Sequence, residues 1–397
     1  MRSLVVAHTV PWPAASGGAI RLDTTLTALA ELGPVDLVAV LGARGAAMAP
    51  VDDPRIDRVA ILPRPEIRTD PWSRVRSSVA RVPDRYARRD YAVLQREVAG
   101  FTASSPPDLV WATQAEPIVG LGAVLPAPVV TDLYDLEDRK LLAEVDLRRV
   151  GSRGIAARAR AGRDRQQVRR WRMAHRLVCR ESAAVVVCSD LDRRRLGRPA
   201  DVVPNCYPVP DQPKGPACVD DRPTVCMIGQ FTYPPNADAA VFAAREVLPL
   251  VRRAVPGARL RLVGQADDRV RRLTEVPGVE VTGRVDDLDP ELAQAHVALV
   301  PIRFGSGTRV KILEAFAHRI PVVSTPIGAE GLGARDGVEL LLGSDGPALA
   351  AACADLLLSD GRRRSLVERA EELWRETAVP AIAAAAVAGI ARRAVRA

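Results

Sequence analysis

The chain has 397 residues, long enough for two domains with separate cores, and its 48% hydrophobic and 26% charged content is that of a globular protein. A net charge of +8 favours acidic partners such as nucleotide-sugars, anionic lipids or nucleic acid. Aromatic content of 4% argues against stacking platforms for single strands, and no nucleic-acid motif is present, so no nucleic-acid partner is expected.

The six cysteines form no C-x-x-C pair and no zinc spacing, and are expected to be buried thiols in a reducing compartment. The first apolar run, Leu4 to Ala7, is too short for a signal peptide. No uninterrupted apolar run reaches the length of a membrane span, and the longest, Ala378 to Ala391, contains Pro380. The expectation is a cytoplasmic protein, with peripheral contact to the inner face of a membrane as an open possibility. The only lysines are Lys140, Lys214 and Lys311, so a lysine stands out against an arginine-rich background.

Ser3–Ala7 reads as a strand. A loop from His8 to Gly18 follows, then a helix with Leu22, Leu26 and Leu29 at helical spacing, then a strand over Val35–Leu41. Gly17 and Gly18 fall where a loop would face the carboxyl end of a parallel sheet; on the residues alone a plain connection is favoured. Further strands are expected at Arg58–Leu62, Asp108–Ala112, Val129–Asp132 and Ala184–Cys188. The Arg/Pro-rich stretch from Ile67 to Arg96 reads as a solvated helical insertion, or as a cover for an acceptor cleft or a membrane contact. By position just after a strand end, Gln114 and Glu116 are candidates to meet a ligand's hydroxyls. Asp132 to Asp138 is strongly acidic and reads as a helix start, where acids are favoured, ahead of a metal site; Tyr134 and Asp135 are candidates to face an acceptor. Arg148 to Arg180 reads as a basic helix with a stripe of Trp171, Met173, Leu177 and Val178. It is a solvated face or a membrane-facing one.

Tyr207 to Arg222 holds four prolines and reads as a linker. The domains expected are 1–206, then 223–376 after the linker 207–222, then a C-terminal helical segment 377–397. The second domain opens with a strand at Thr224–Gly229 and a helix from about Ala237. Strands at Arg259–Val263 and Val279–Thr282 follow.

The most informative stretch is Pro301-Ile-Arg-Phe-Gly-Ser-Gly-Thr-Arg-Val-Lys-Ile-Leu-Glu-Ala-Phe-Ala317. It lies between apolar runs at His296–Val300 and Ile320–Thr325, giving strand, glycine loop, helix, strand. Val310, Leu313, Ala317 and Ile320 share one face of the helix. Thr308 is the expected N-cap. Free amides at such a helix start bind anions, above all phosphate. Arg309 and Lys311 oppose the helix dipole there, at about 0.3–1 kcal/mol each, unless an anion offsets them. Glu314, one turn on, suits the paired hydroxyls of a ribose. The bland alternative is a surface Lys311–Glu314 ion pair beside an ordinary turn.

Gly305-Ser-Gly-Thr-Arg-Val-Lys-Ile-Leu-Glu-Ala315, with Pro321-Val-Val-Ser-Thr325 and Gly328-Ala-Glu-Gly-Leu332, resembles the donor-site signature of glycosyltransferase family 4, in its Gly-x-Gly-Thr-Arg-x-Lys variant. Those are retaining enzymes. The resemblance implies an α/β GT-B fold: two Rossmann-like domains with parallel sheets facing a cleft, and a C-terminal helix crossing back to the first domain. It implies that Glu314 holds the nucleotide ribose and that Arg309 and Lys311 stabilise the departing diphosphate. Ser306, Gly307 and Thr308 would line the donor loop, and Gly17 and Gly18 would approach the diphosphate. The base would rest near Arg284 and Val285. Gln230 and Pro235 stand where many members carry Arg and Lys, and Ser306 stands where the common motif has glutamate.

The function implied is retaining, metal-independent transfer from a nucleotide diphosphate-sugar to a polysaccharide, lipid-linked or natural-product acceptor, with no cofactor and no nucleophilic side chain. The alternatives are a nucleotide-sugar epimerase and a non-catalytic nucleotide-sugar or partner-binding protein of the same fold.

Overall fold

The computed structural model describes residues 1–12, 16–42, 52–149, 155–210, 222–285 and 287–396, without the side chains of 123, 147–149 and 155–159. The expected linker lies mostly outside the described residues. The chain divides into two compact units, Met1–Asn205 with Pro380–Ala397, and Cys206–Val379.

In the first unit the described residues form a seven-stranded parallel sheet of β1 (Ser3–Ala7), β2 (Val35–Leu41), β3 (Arg58–Pro63), β4 (Leu109–Thr113), β5 (Val129–Asp132), β6 (Ala184–Val187) and β7 (Asp201–Val202). Their order is β3-β2-β1-β4-β5-β6-β7. The central strands are rich in Val, Leu and Ala and buried at every position, as in a parallel sheet covered on both faces. β1 pairs with both β2 and β4, with Ser3 opposite Val35 on one side and Leu109 on the other. The chain order reverses between β1 and β4, and that switch point is where loops at the carboxyl ends leave a crevice.

Helix α1 (Gly17–Ala30) starts earlier than the sequence indicates. Ser16 is its N-cap and accepts a hydrogen bond from the Ala19 amide, so Gly17 and Gly18 form its first turn instead of ending a loop. Buried Arg21 ties this helix down. Its Nε and Nη2 grip both Asp132 oxygens at 2.7 and 2.8 Å, and Nη1 donates to the Val203 carbonyl and Asn205 Oδ1. The basic stretch forms the long helix α2 (Ile155–Glu181), in which Trp171, Ala174 and Val178 are buried.

In the second unit the described strands are β8 (Thr224–Ile228), β9 (Arg259–Val263), β10 (Val279–Gly283), β11 (Val297–Val300), β12 (Val322–Ser324) and β13 (Leu341–Leu342). All are parallel, in the order β10-β9-β8-β11-β12-β13. The switch point here lies between β8 and β11. The helix after β8 starts at Pro234, three residues before its expected start, with a proline in its first turn where no amide is needed. The two-residue strands β7 and β13 were not expected. Helix α3 (Val310–Ala317) joins β11 to β12 and is buried from Ile312 through Ala317, far beyond one face. Ile320 lies past its end but is buried in the same core.

Helix α4 (Pro380–Arg396) belongs to the first unit, packs on α1, β4 and β5, and buries Ala383, Val387 and Ala391. By length and composition the stretch Asp360–Arg396 could cross a membrane. In the fold it is two helices, and the apolar side of α4 is taken by α1.

Candidate functional site

Two loops flank the switch point of the second sheet. The loop after β11 carries Gly305 at φ +147°, a backbone that L side chains rarely adopt. A Cβ there would also lie 2.4 Å from Arg309 Nη2, so a side chain would displace the guanidinium as well as strain the backbone. Arg303, in the same loop, is locked away from it. It holds Asp238 with two hydrogen bonds at 2.8 and 2.9 Å and lies over the Phe242 ring. The helix cap is Arg309, with extended backbone and no side-chain cap, so Thr308 is not the N-cap expected. Ser306 and Thr308 are buried. Arg309 curls back and donates from Nη1 to the Ser306 carbonyl. Its Nε and Nη2 are buried without a hydrogen-bond partner. Those donors therefore lie beside the uncapped start of α3, where the amides of the first turn are also short of acceptors.

Lys311 turns from α3 toward the loop after β8. Its Nζ donates to Asn236 Oδ1 at 2.8 Å, and Asn236 Nδ2 donates to the Gln230 carbonyl at 3.0 Å. The approach is close: a Cβ on Gly229 would stand 3.1 Å from both Lys311 Nζ and Asn236 Nδ2. Burial and the Arg309 charge pull the Lys311 ammonium down to about 8, against the pull of Glu314.

Glu314 lies one turn into the helix and is buried. It is no member of a surface ion pair. Tyr207 donates to its Oε1 at 3.0 Å. Tyr207 is held in turn by its amide on the Ala378 carbonyl and by Trp374 Nε1 on its own carbonyl. Burial raises the Glu314 carboxyl to about 7, although the Tyr207 hydrogen bond and Lys311 both oppose the rise. Tyr207 itself is pushed above its usual range by burial and by that carboxylate, so it stays a donor.

Cations at a helix start, an amide bridge between the two loops and a carboxyl group one turn on can together hold a diphosphate and a diol. Arg309, Lys311, Ser306, Gly307, Thr308, Glu314 and Gln230 all lie on the two loops and on α3. The Gln230 side chain is exposed and only its carbonyl enters the network. Arg284 and Val285 follow β10, two strands from the switch point; Arg284 is exposed and Val285 packs partly on the core. Sequence reasoning missed Asn236 and Tyr207. Asn236 lies in the Tyr-Pro-Pro-Asn run, whose one amide side chain was a usable signal. Tyr207 begins the proline-rich stretch that reads as a linker, and nothing local to it signals a buried partner.

The switch point of the first unit gathers a different set. His8 follows β1; its Nδ1 meets Thr113 Oγ1 at 3.1 Å and its Nε2 meets the Tyr134 hydroxyl at 2.7 Å. Burial, with Arg64 and Arg85 nearby, lowers His8 to about 4, so it is neutral. The Tyr134 hydroxyl lies 3.4 Å from where a Gly18 Cβ would stand, at the amino end of α1. Gln114 adopts φ +64°, strained for a side-chain-bearing residue, and its amide meets the Asp135 peptide N and O at 3.2 Å each. Asp135 is 3.6 Å from Lys140. Glu137 and Asp138 occupy the first turn of the helix Glu137–Arg149. Glu116 does not join this group as a free carboxylate. It is bound by Arg89, by Tyr91 at 3.3 Å and by Arg64 at 3.8 Å.

The two doubly wound sheets make this a GT-B protein by fold. Residues 222–359, which contain the site of the second unit, match the family model described as glycosyl transferases group 1. Sucrose-phosphate synthase from Thermosynechococcus elongatus has a similar structure, with a TM-score of 0.72 at 16% identity, covering 99% of each chain. Alr3699/HepE from Anabaena, solved with UDP and glucose, matches with a TM-score of 0.66 at 14% identity, covering 98% of each chain. A curated relative, an uncharacterized 44.6 kDa protein in the cps region of Klebsiella pneumoniae, is 25% identical over 130 residues. That match spans 30% of this chain and 34% of the relative. Fold and family match together support the GT-B group 1 assignment that the motif suggests.

Proposed function

We propose that this protein is a retaining glycosyltransferase of family 4 that moves a sugar from a nucleotide diphosphate-sugar to an acceptor. The observation that carries the reading is the start of α3, where Arg309 holds buried donors without partners beside Lys311, one turn before the Glu314–Tyr207 pair. In this reading the diphosphate lies on the amides of the first turn of α3, against the guanidinium and the ammonium, and the ribose hydroxyls meet Glu314. As the bond from anomeric carbon to phosphate breaks, negative charge grows on the diphosphate. Preorganised donors aimed at developing charge are the largest catalytic contribution in many enzymes. Two cations and a helix start can carry that role, so the proposal is metal-independent and needs no cofactor. Neighbours of this fold bind UDP and UDP-glucose, which supports a nucleotide-sugar donor.

The first unit is assigned the acceptor. Its neutral His8–Tyr134 pair and the backbone at Gln114 and Asp135 offer polar contacts without a charged nucleophile. The acceptor class is a polysaccharide, lipid-linked or natural-product glycan, and the location proposed is the cytoplasm.

The test is release of nucleoside diphosphate from a panel of nucleotide-sugars, with and without EDTA, and the anomeric configuration of the product by NMR. Turnover that survives chelation with retained configuration supports the reading. Inverted product, or turnover that needs added metal, overturns the corresponding part.

A further inference from the structure

The first unit carries a second basic site that the donor and acceptor roles do not use. An open cavity of about 900 Å³ is lined by Arg81, Arg176, Arg180 and Arg198. Its wall includes Ala184, the first residue of β6, so it lies at the amino end of that strand. His8, Gly18 and Tyr134 gather at the opposite end of the same sheet. Among the described residues, Arg81, Arg176 and Arg198 have no ion-pair partner. Arg180 meets Glu181 at the surface. The cavity's one carboxylate, Asp201, is already taken by Arg393 at 2.8 Å. Arg2, Arg55, Arg58 and Arg170 of this unit, by contrast, each hold an aspartate. Three guanidinium groups without ion-pair partners thus gather around one cavity. Beneath them Val82, Met173 and Leu177 are half-buried and apolar.

Beside this cavity stands a helix turned inside out. In Pro71–Val79 the serines Ser73 and Ser77 face inward and are buried. Trp72, Val75 and Val79 are 76%, 56% and 80% exposed. Their spacing puts them on one stripe of the helix, with Arg76 alongside. The helix is fixed in this orientation: Asp70 caps its start, and Arg170 of α2 donates to the Ser78 carbonyl at 2.8 Å. Met173 and Arg176 follow Arg170 within the next two turns of α2, and Arg81 comes two residues after Val79. The apolar stripe and the arginine cavity are therefore neighbours on one surface.

An outward Trp/Val stripe bordered by unpaired arginines matches the chemistry of an anionic bilayer surface, where the ring enters the headgroup layer and guanidinium groups meet phosphate. We propose that this face of the first unit binds an anionic phospholipid membrane. Trp72, Val75 and Val79 enter the interface, and a phosphate-bearing headgroup sits in the cavity under Arg81, Arg176 and Arg198. The inference is independent of the donor site.

The test is co-sedimentation of the full chain with vesicles of phosphatidylcholine alone and of an equal mixture with phosphatidylglycerol. Wild type is expected to sediment with the mixed vesicles, less so as salt is raised, and not with the neutral ones. Trp72→Ser/Val79→Ser and, separately, Arg176→Glu/Arg198→Glu are each expected to lower the partition coefficient about tenfold or more. All six positions of the stripe and guanidinium cluster are exposed, so folding is expected to survive, and unchanged circular dichroism and urea denaturation of the variants would verify it. Binding of wild type to neither vesicle, or undiminished binding by both variants, would overturn the proposal. So would a site that takes inorganic phosphate in solution while the chain ignores vesicles.

Discussion

Lys311 Nζ reaches across the switch point of the second sheet to Asn236 Oδ1 at 2.8 Å, and Gly229 leaves the room for it. One hydrogen bond thus joins the first turn of the helix after β8 to the helix after β11. It also holds the ammonium in a buried place where burial and Arg309 work against its charge.

Asn236→Ala removes this bridge and leaves Lys311 without its acceptor. The expected result is about a tenfold loss of affinity for the nucleoside diphosphate, the order of one lost hydrogen bond to a charged group, with the fold intact. Isothermal calorimetry checks it, and unchanged affinity would show that the bridge does not position the lysine for the ligand.

The site should respond to pH through two groups of opposite sign. With its carboxyl raised from 4.5 to about 7, Glu314 binds more protons folded than unfolded across that window, so stability falls as pH rises through it. Lys311, lowered from 10.5 to about 8, binds fewer protons folded, so stability rises with pH between those values. Nucleotide binding needs the carboxylate and the ammonium together. Affinity is therefore expected to peak between about 7 and 8, falling on the acid side as Glu314 protonates and on the alkaline side as Lys311 loses its charge. Glu314→Gln should flatten the acid limb and Lys311→Met the alkaline limb. A profile that keeps both limbs in both variants would assign them to other groups.

Gly305→Ala places a methyl group at φ +147° and 2.4 Å from the Arg309 guanidinium. A loss of about 1–3 kcal/mol of stability is expected from the backbone alone. Adding Arg309→Ala should relieve only the steric part. Urea denaturation of the single and double variants checks this; a neutral Gly305→Ala would mean that the loop rearranges freely.

Much of this was legible in the sequence because parallel strands of a covered sheet are rich in Val and Leu. Val35–Leu41, Val129–Asp132 and Arg259–Val263 have the bounds that their runs indicate. The strands β7 and β13 are two residues long and leave no such run. The glycine loop, Arg309, Lys311 and Glu314 were readable because they are close in sequence and share one helix start. Asn236 and Tyr207 were not, since each meets its partner across 75 and 107 residues of chain, a pairing that only the sheet topology creates. The partners of Glu116 were hidden for the same reason: Arg89 and Arg64, which hold it, approach from outside its own loop. Thr308 carries a capping side chain, yet the backbone passes into the helix one residue later.

In the first unit Arg21 and Asp132 form a buried bidentate pair at 2.7 and 2.8 Å. Arg21→Leu leaves the aspartate buried and uncompensated, with an expected cost of about 3–5 kcal/mol. The double variant Arg21→Leu/Asp132→Leu should recover part of that loss. Chemical denaturation of the three variants measures the coupling, and additive losses would show that the pair is not a unit.

The central claim is that the start of α3 holds a nucleoside diphosphate with Glu314 on its ribose. The most direct measurement is calorimetric titration of UDP, GDP, ADP and dTDP into wild type and Glu314→Ala. One nucleotide is expected to bind wild type and to lose most of its affinity in the variant. Binding by none of the four, or equal binding by wild type and variant, would contradict the account.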